Sequence, residues 1–381
     1  MRIYLDNAAS TPLLEETAEF YSQQIRKLFG NPHADTDYSH ECRKAIEKAD
    51  RQLKAAVNAP KDVRVIWTSG GTECNNLILQ GLDWQQGDEV ITTDIEHPAI
   101  NNPLKLIEER GVTIHTLKID ETGNYKIEDL KNLLNEKTKL VSIISLHNEL
   151  GVINDLFAVR EVLNEKGSKA LFHTDNVQGF GKRRIDWQKC GLDFMSTAGH
   201  KFHAPNSCGA LICNPKIELK PLLLGGGQQQ NLRSGTQDPA VISAYGYATE
   251  LNDRLKDEKI TDIQKLNKVC REGLLSLTNR QGKPVEIVFH SREENSPYIL
   301  LFSIKGYEGA VIMRFLSTMG TYIGVGSACS AESKEPNKTL TKMGVPRDVA
   351  FGALRVSFGW QTTEDEVKEF LNQLQGVLKD Y

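Results

Sequence analysis

The chain has 381 residues, of which 39% are hydrophobic and 25% charged, with a formal net charge of -4. That length supports a large core and a second domain, and the slightly acidic balance offers no broad attraction for nucleic acid or an anionic membrane. No run reaches the ~20 apolar residues of a membrane-spanning helix, and Met1-Arg-Ile-Tyr-Leu-Asp-Asn lacks a secretory apolar stretch, so a cytoplasmic protein is expected. The seven cysteines (42, 74, 190, 208, 213, 270 and 329) are odd in number and lack the close pairs of a zinc or ferredoxin site. Most are expected to be reduced core residues, including Cys208 and Cys213 at the ends of an apolar run, and no metal is called for.

Short β-branched or apolar stretches at 63–67, 89–93, 113–119, 140–145, 170–174, 193–196 and 209–213 read as seven strands. Between them, 99–110, 127–136 and 156–166 space apolar residues three or four apart, with Gly111 or Gly167 beyond two of the ends, and read as helices. Helical crossovers of this kind favour a largely parallel α/β sheet. From Pro239 the texture changes to a long helical pattern, 240–278, with a break expected near Lys259-Ile-Thr-Asp. Beyond it, 285–289, 298–303 and 355–358 read as strands, and 309–319 and 363–379 as helices.

Two residues at the ends of strand-like stretches carry chemistry. Lys201, in Ser196-Thr-Ala-Gly-His-Lys, follows by 26 residues Asp175, in His173-Thr-Asp-Asn-Val-Gln-Gly. Pyridoxal phosphate needs a lysine amine to hold it as a Schiff base and a carboxylate to keep its ring nitrogen protonated. A third element, Gly324-Val-Gly-Ser-Ala-Cys-Ser-Ala-Glu-Ser, sets Cys329 among small residues, a context that suits an accessible, reactive thiol better than a core position. Ser69-Gly-Gly-Thr, after the strand ending at Trp67, opens a helix whose unpaired amides attract an anion, although alone it would read as a turn.

In these motifs the chain resembles the cysteine desulfurases of the NifS/IscS-like branch, within the class V aminotransferase superfamily. The ordered matches are Tyr4-Leu-Asp-Asn-Ala-Ala-Ser-Thr-Pro, Thr68-Ser-Gly-Gly-Thr-Glu-Cys-Asn-Asn, Glu96-His-Pro-Ala, Asn148-Glu-Leu-Gly-Val, the Asp175 and Lys201 motifs, Leu232-Arg-Ser-Gly-Thr, Val325-Gly-Ser-Ala-Cys-Ser and Leu354-Arg-Val-Ser-Phe-Gly. The resemblance implies a fold-type I pyridoxal phosphate enzyme. Its large domain, residues 13–260, would carry a mainly parallel seven-stranded sheet, and 1–12 with 261–381 would form a smaller α+β domain.

It also implies roles. Gly71, Thr72 and His200 would hold the phosphate with Thr236 of the partner subunit, which makes a homodimer the expected unit. Asp175 would pair with the ring nitrogen, Gln178 with the phenolic oxygen, Asn148 would approach the same side, and His97 would stack on the ring. Lys201 would serve as anchor and then as base at the substrate α-carbon, Arg355 would grip the substrate carboxylate with Asn148 beside it, and Cys329 would take sulfur from L-cysteine as a persulfide, leaving alanine. A sulfur-acceptor protein of iron-sulfur assembly or tRNA thiolation is the implied partner. His147, His173 and His203 are expected to be structural.

Departures from the family pattern concern the pocket and its rim. Ala198 stands where a phosphate-holding serine is usual, with Thr197 as the candidate substitute. Ala204-Pro-Asn-Ser and Gln228-Gln-Gln-Asn replace Gly-Pro-Lys-Gly and Gln-Glu-Arg-Gly. The chain ends at Tyr381 without the extension that housekeeping relatives use to dock a scaffold, so a dedicated acceptor is expected. Selenocysteine lyase, another carbon-sulfur lyase or an aminotransferase shares the cofactor residues, and a non-catalytic binding platform is the alternative from a different class.

Overall fold

The computed structural model describes residues 2–326 and 335–380, so Cys329 lies outside the described residues. In chain order the described strands are β1 (Ile3–Tyr4), β2 (Arg64–Thr68), β3 (Glu89–Thr93), β4 (Thr113–Leu117), β5 (Thr138–Ser142), β6 (Leu171–Asp175), β7 (Phe194–Ala198), β8 (Gly209–Cys213), β9 (Ile287–Phe289), β10 (Ile299–Ile304), β11 (Thr321–Tyr322) and β12 (Ala353–Ser357). Seven of them form one sheet in the order β2-β8-β7-β6-β5-β3-β4. β8 runs antiparallel to both neighbours and every other pairing in this sheet is parallel.

This sheet is buried on both faces, which is why its strands read as continuous apolar runs. The period of two divides neighbouring residues between two cores: Ile66, Val90, Leu140, Phe194 and Leu211 face one, and Trp67, Ile91, Val141, Met195 and Ile212 face the other. Helices Gly71–Gly81 and Pro98–Glu108 cover the first face, with Leu77, Ile78, Ile100 and Leu104 turned inward. On the second face lies the helix Asp37–Ala56, capped by Thr36 Oγ1, which accepts from the Ser39 amide at 3.2 Å. Ser39, Cys42, Ile46, Ala49 and Leu53 form its buried stripe. Gly246 lets a second helix approach it, since a Cβ there would meet the Ala49 Cα at 2.7 Å.

That second helix, Pro239–Leu275, runs 37 residues without interruption, contrary to the expected break near Lys259. Lys259-Ile-Thr-Asp contains no glycine or proline to stop it, and Lys259 pairs with Asp262 at 3.8 Å within the same turn. Its first half gives Ile242, Tyr245 and Ala248 to the large-sheet core, and its second gives Ile263, Leu266, Cys270 and Leu274 to another core. This second core packs beneath the antiparallel sheet β12-β10-β9 and the helices Gly309–Thr318 and Glu364–Asp380. Each fully buried Leu, Ile or Phe in it, such as Leu300 and Phe302, contributes about 1.5–3 kcal/mol by leaving water.

Residues 3–11 join the two cores. β1 pairs in parallel with β11, and Ile3, Leu5 and Ala8 enter the second core. Asn7 Nδ2 donates to the Ser357 carbonyl at 3.0 Å, and the Thr11 amide then donates to the His200 carbonyl at 2.7 Å. The N-terminal segment therefore stretches from β12 to the turn that carries Lys201.

Candidate active site

The strand ends converge on one edge of the large sheet. β3, β5, β6 and β7 run parallel, and β2, separated from β7 by the antiparallel β8, points the same way. The residues after these ends meet around a cavity of about 210 Å³, the place where open α/β sheets bind ligands. Gly71 and Thr72 come from the β2 end, His97 from β3, Asn148 from β5, Asp175 and Gln178 from β6, and Ala198, His200 and Lys201 from β7.

The helix Gly71–Gly81 has Gly70 at its N-cap and no side-chain cap, so its first-turn amides are left for an external acceptor. Gly71 is required there because any side chain would collide with Val177. Asp175 is held on both oxygens: Asn75 Nδ2 donates to Oδ2 at 2.7 Å and the Val177 amide to Oδ1 at 3.0 Å. His97 sits exposed at the mouth, and its Nδ1 accepts from the Ala99 amide at 3.1 Å as the cap of the helix Pro98–Glu108.

Lys201 Nζ donates to the carbonyls of Ala8 and Ala9, each at 2.7 Å. Gln178 Nε2 shares the Ala8 carbonyl at 2.6 Å, while its Oε1 accepts from Lys182 Nζ at 2.9 Å. Burial and then the Arg355 charge push Lys201 down to about 8, against the pull of Asp6 and Asp175. Burial, followed by the charges of Lys201 and Arg355, brings Lys182 to about 7. His200 falls to about 4 through burial and the same two lysines, so its ring is neutral and offers one donor. Lys201 on the cavity wall, with Lys182 and Arg355 behind it, faces the single carboxylate Asp175, a balance that favours an anionic ligand.

Arg355 is 2% exposed and lies one layer behind the cavity wall. Its Nη2 pairs with Asp6 Oδ1 at 2.7 Å and its Nη1 donates to the Asn148 carbonyl at 2.9 Å. Its Nε is buried without an acceptor among the described residues. Thr236 is exposed beside Ile25, Phe29 and Asn31, in a different surface depression from the cavity that Lys201 lines. Thr197 does not replace the missing serine. Adjacent strand residues face opposite ways, and its hydroxyl donates to the Ala210 carbonyl at 2.8 Å and accepts from Tyr245 at 2.7 Å, leaving Ala198 on the cavity side.

The histidines read as structural are buried and tied down. His147 Nδ1 accepts from the Leu150 amide at 3.1 Å, His173 lies between Ser142 and Ser196, and His203 Nδ1 meets the Pro12 carbonyl at 2.8 Å. The six cysteines among the described residues are free and buried, and no cluster of metal-ligating side chains occurs there. Sequence reasoning passed over Asn75, Asp6 and Lys182. Asn75 had a helical-spacing signal, four residues after Gly71 in one helix, while Lys182 follows Gln178 by four residues in a turn. Asp6 lies in the Tyr4-Leu-Asp-Asn motif, but its pairing with Arg355, 349 residues away, carries no local signal.

A chain match to the class-V aminotransferase family spans residues 3–370. The chain is 32% identical over 382 residues to a cysteine desulfurase IscS of Methanosarcina thermophila, covering 99% of this chain and 92% of that one. A solved NifS-like protein superposes with a TM-score of 0.91 at 30% identity, with full coverage of both chains. A structure of SspA in complex with cysteine aligns at 27% identity and a TM-score of 0.77 over 93% of this chain and 98% of that one. The chain belongs to the class-V aminotransferase family, in its NifS/IscS-like branch. It is a fold-type I pyridoxal phosphate enzyme, and the cavity fits that cofactor: uncapped amides and a neutral histidine for a phosphate, a fixed carboxylate for a ring nitrogen, and a lysine amine on the same wall.

Proposed function

We propose that this enzyme is a cysteine desulfurase that converts L-cysteine to L-alanine and passes the sulfur to Cys329. The observation that carries the reading is the convergence of Lys201, Asp175, Gln178 and His200 on one cavity in a chain with desulfurase relatives. Pyridoxal phosphate, when bound, draws electrons from the substrate α-carbon. In this reading the amides at Gly71 and Thr72, with His200, bind its phosphate, Asp175 keeps its ring nitrogen protonated, Gln178 donates to its phenolic oxygen, and His97 covers its ring.

Lys201 then takes and returns the α-proton, a task for which an amine lowered to about 8 is suited. Arg355, which Asp6 and the Asn148 carbonyl hold behind the cavity wall, and Asn148 orient the substrate carboxylate. Sulfur leaves carbon as its bond to the Cys329 thiolate forms, giving a persulfide, and the remaining three-carbon unit is protonated to alanine.

Residues 13–260 serve in this account as the cofactor domain, and 1–12 with 261–381 as the smaller domain bearing Arg355. The exposure of Thr236 outside its own chain's cavity supports a homodimer in which Thr236 of the partner subunit completes the phosphate site. A cytoplasmic setting and a sulfur-acceptor protein of iron-sulfur assembly or tRNA thiolation complete the proposal. No described helix is long and apolar enough to cross a membrane. Incubation of the cofactor-loaded protein with L-cysteine and a thiol should release alanine and sulfide in equal amounts. Formation of a keto acid instead would replace desulfuration with transamination or another lyase reaction.

A further inference from the structure

Lys182 is a lysine where the fold gives little reason for one. It is 7% exposed, it has no carboxylate partner among the described residues, and its ammonium lies over the Tyr298 ring at 5.8 Å. Among the described residues, the one hydrogen bond of its ammonium runs to Gln178 Oε1 at 2.9 Å. A lysine is donor-only whenever it is charged, so it fixes which end of the Gln178 amide it meets. Oε1 must face Lys182, and Nε2 must face the cavity, where it now donates to the Ala8 carbonyl at 2.6 Å. That carbonyl also receives Lys201 Nζ at 2.7 Å.

We propose that Lys182 is a positioning residue that locks the Gln178 amide with its N–H groups toward the cofactor, so that the site favours the anionic form of the cofactor's phenolic oxygen. The inference rests on the assignment of Gln178 to that oxygen. An amide turned the other way would present its carbonyl to the oxygen, and a carbonyl beside an anion repels it. The amine behind the amide donates to its carbonyl oxygen, and this polarises the amide and strengthens the hydrogen bond it gives in turn. A phenolic oxygen that already accepts a hydrogen bond holds less tightly the proton it shares with the Lys201 nitrogen. Loss of Lys182 should therefore raise the pH at which that proton leaves.

The test is an absorbance titration of the Lys201-linked cofactor in the holoenzyme, with cofactor affinity measured separately on apo protein. Lys182→Met should move the midpoint upward by about one pH unit and weaken cofactor binding ~10-fold, the size expected for one hydrogen bond to a charged group. Lys182→Gln, which keeps an N–H donor, should restore most of both. In a Gln178→Ala background, Lys182→Met should cause no further shift, because the lysine acts through the amide.

An equal shift in both backgrounds would overturn the proposal, as would an unshifted midpoint in Lys182→Met beside a shifted one in Gln178→Ala. If the methionine variant does not fold, Lys182→Ala is read the same way. A wild-type protein that forms no Lys201-linked band would overturn the site assignment together with this role.

Discussion

The wall made by the ends of β2, β3, β5, β6 and β7 and the side made by residues 6–11 with β12 are built by different means. On the wall, each functional residue sits within a few positions of a strand end, and its orientation follows from the register of a sheet buried on both faces. Asp175 is the last residue of β6, and Lys201 follows β7 by one short turn. On the other side, Asp6, Ala8, Ala9 and Arg355 meet only because the N-terminal segment crosses from the small sheet to the Lys201 turn. The first arrangement makes a cofactor cradle, while the second ties Lys201 and Arg355 to one stretch of backbone.

The largest effect should come from the wall. Lys201→Ala should lower cysteine turnover by ~10³-fold or more and abolish the visible band of the linked cofactor, since both anchor and base are lost. Retained turnover would place the base elsewhere. Across the cavity, Arg355→Lys should reduce kcat/KM for cysteine by about 10- to 100-fold, mostly through KM, because an ammonium cannot hold a carboxylate by two parallel bonds. If kcat fell and KM did not, Arg355 would act on the chemical step and not on binding.

The buried lysine behind the wall supplies a test on the apo protein. The folded pKa of Lys182, about 7, lies below the ordinary lysine value near ~10.4 of the unfolded chain. Between these values the unfolded state binds the extra proton, so wild-type stability should rise with pH from 7 to 10 relative to Lys182→Met, by roughly 2–4 kcal/mol. Parallel stability curves would show that Lys182 keeps its ordinary pKa in the folded protein. The next effect is smaller: Asn75→Ala frees one oxygen of Asp175 and should weaken cofactor binding about 10-fold. The smallest concerns the departure at Ala198, where Ala198→Ser should tighten cofactor binding by about 3-fold through one added hydrogen bond.

The same contrast explains what the sequence disclosed. The strands of the large sheet were legible because covered strands are unbroken apolar runs, and 89–93 and 209–213 agree with β3 and β8 to the residue. Helix Glu15–Lys27 was missed although Ala18, Tyr21 and Ile25 recur at helical spacing between Leu14 and Leu28, and only Thr17 within it is fully buried. Helix Asp37–Ala56 hides its stripe behind serine, cysteine and alanine. Strands β1 and β11, two residues each, are fixed by a pairing across the whole chain length. Within the site, Lys201, Asp175, His97, Gln178 and Asn148 were found from local motifs, whereas the Asp6–Arg355 pair and the carbonyls under Lys201 depend on long-range closure that no local pattern encodes. The expected break at Lys259 failed because a polar stretch without glycine or proline continues a helix when both ends are anchored in separate cores.

Persulfide trapping on Cys329 tests the account most directly. After the cofactor-loaded protein meets L-cysteine, mass spectrometry of the alkylated chain should show one added sulfur on Cys329, with an equal amount of alanine in the same sample. Bound cofactor and alanine without sulfur on Cys329, or with turnover undiminished in Cys329→Ala, would contradict it.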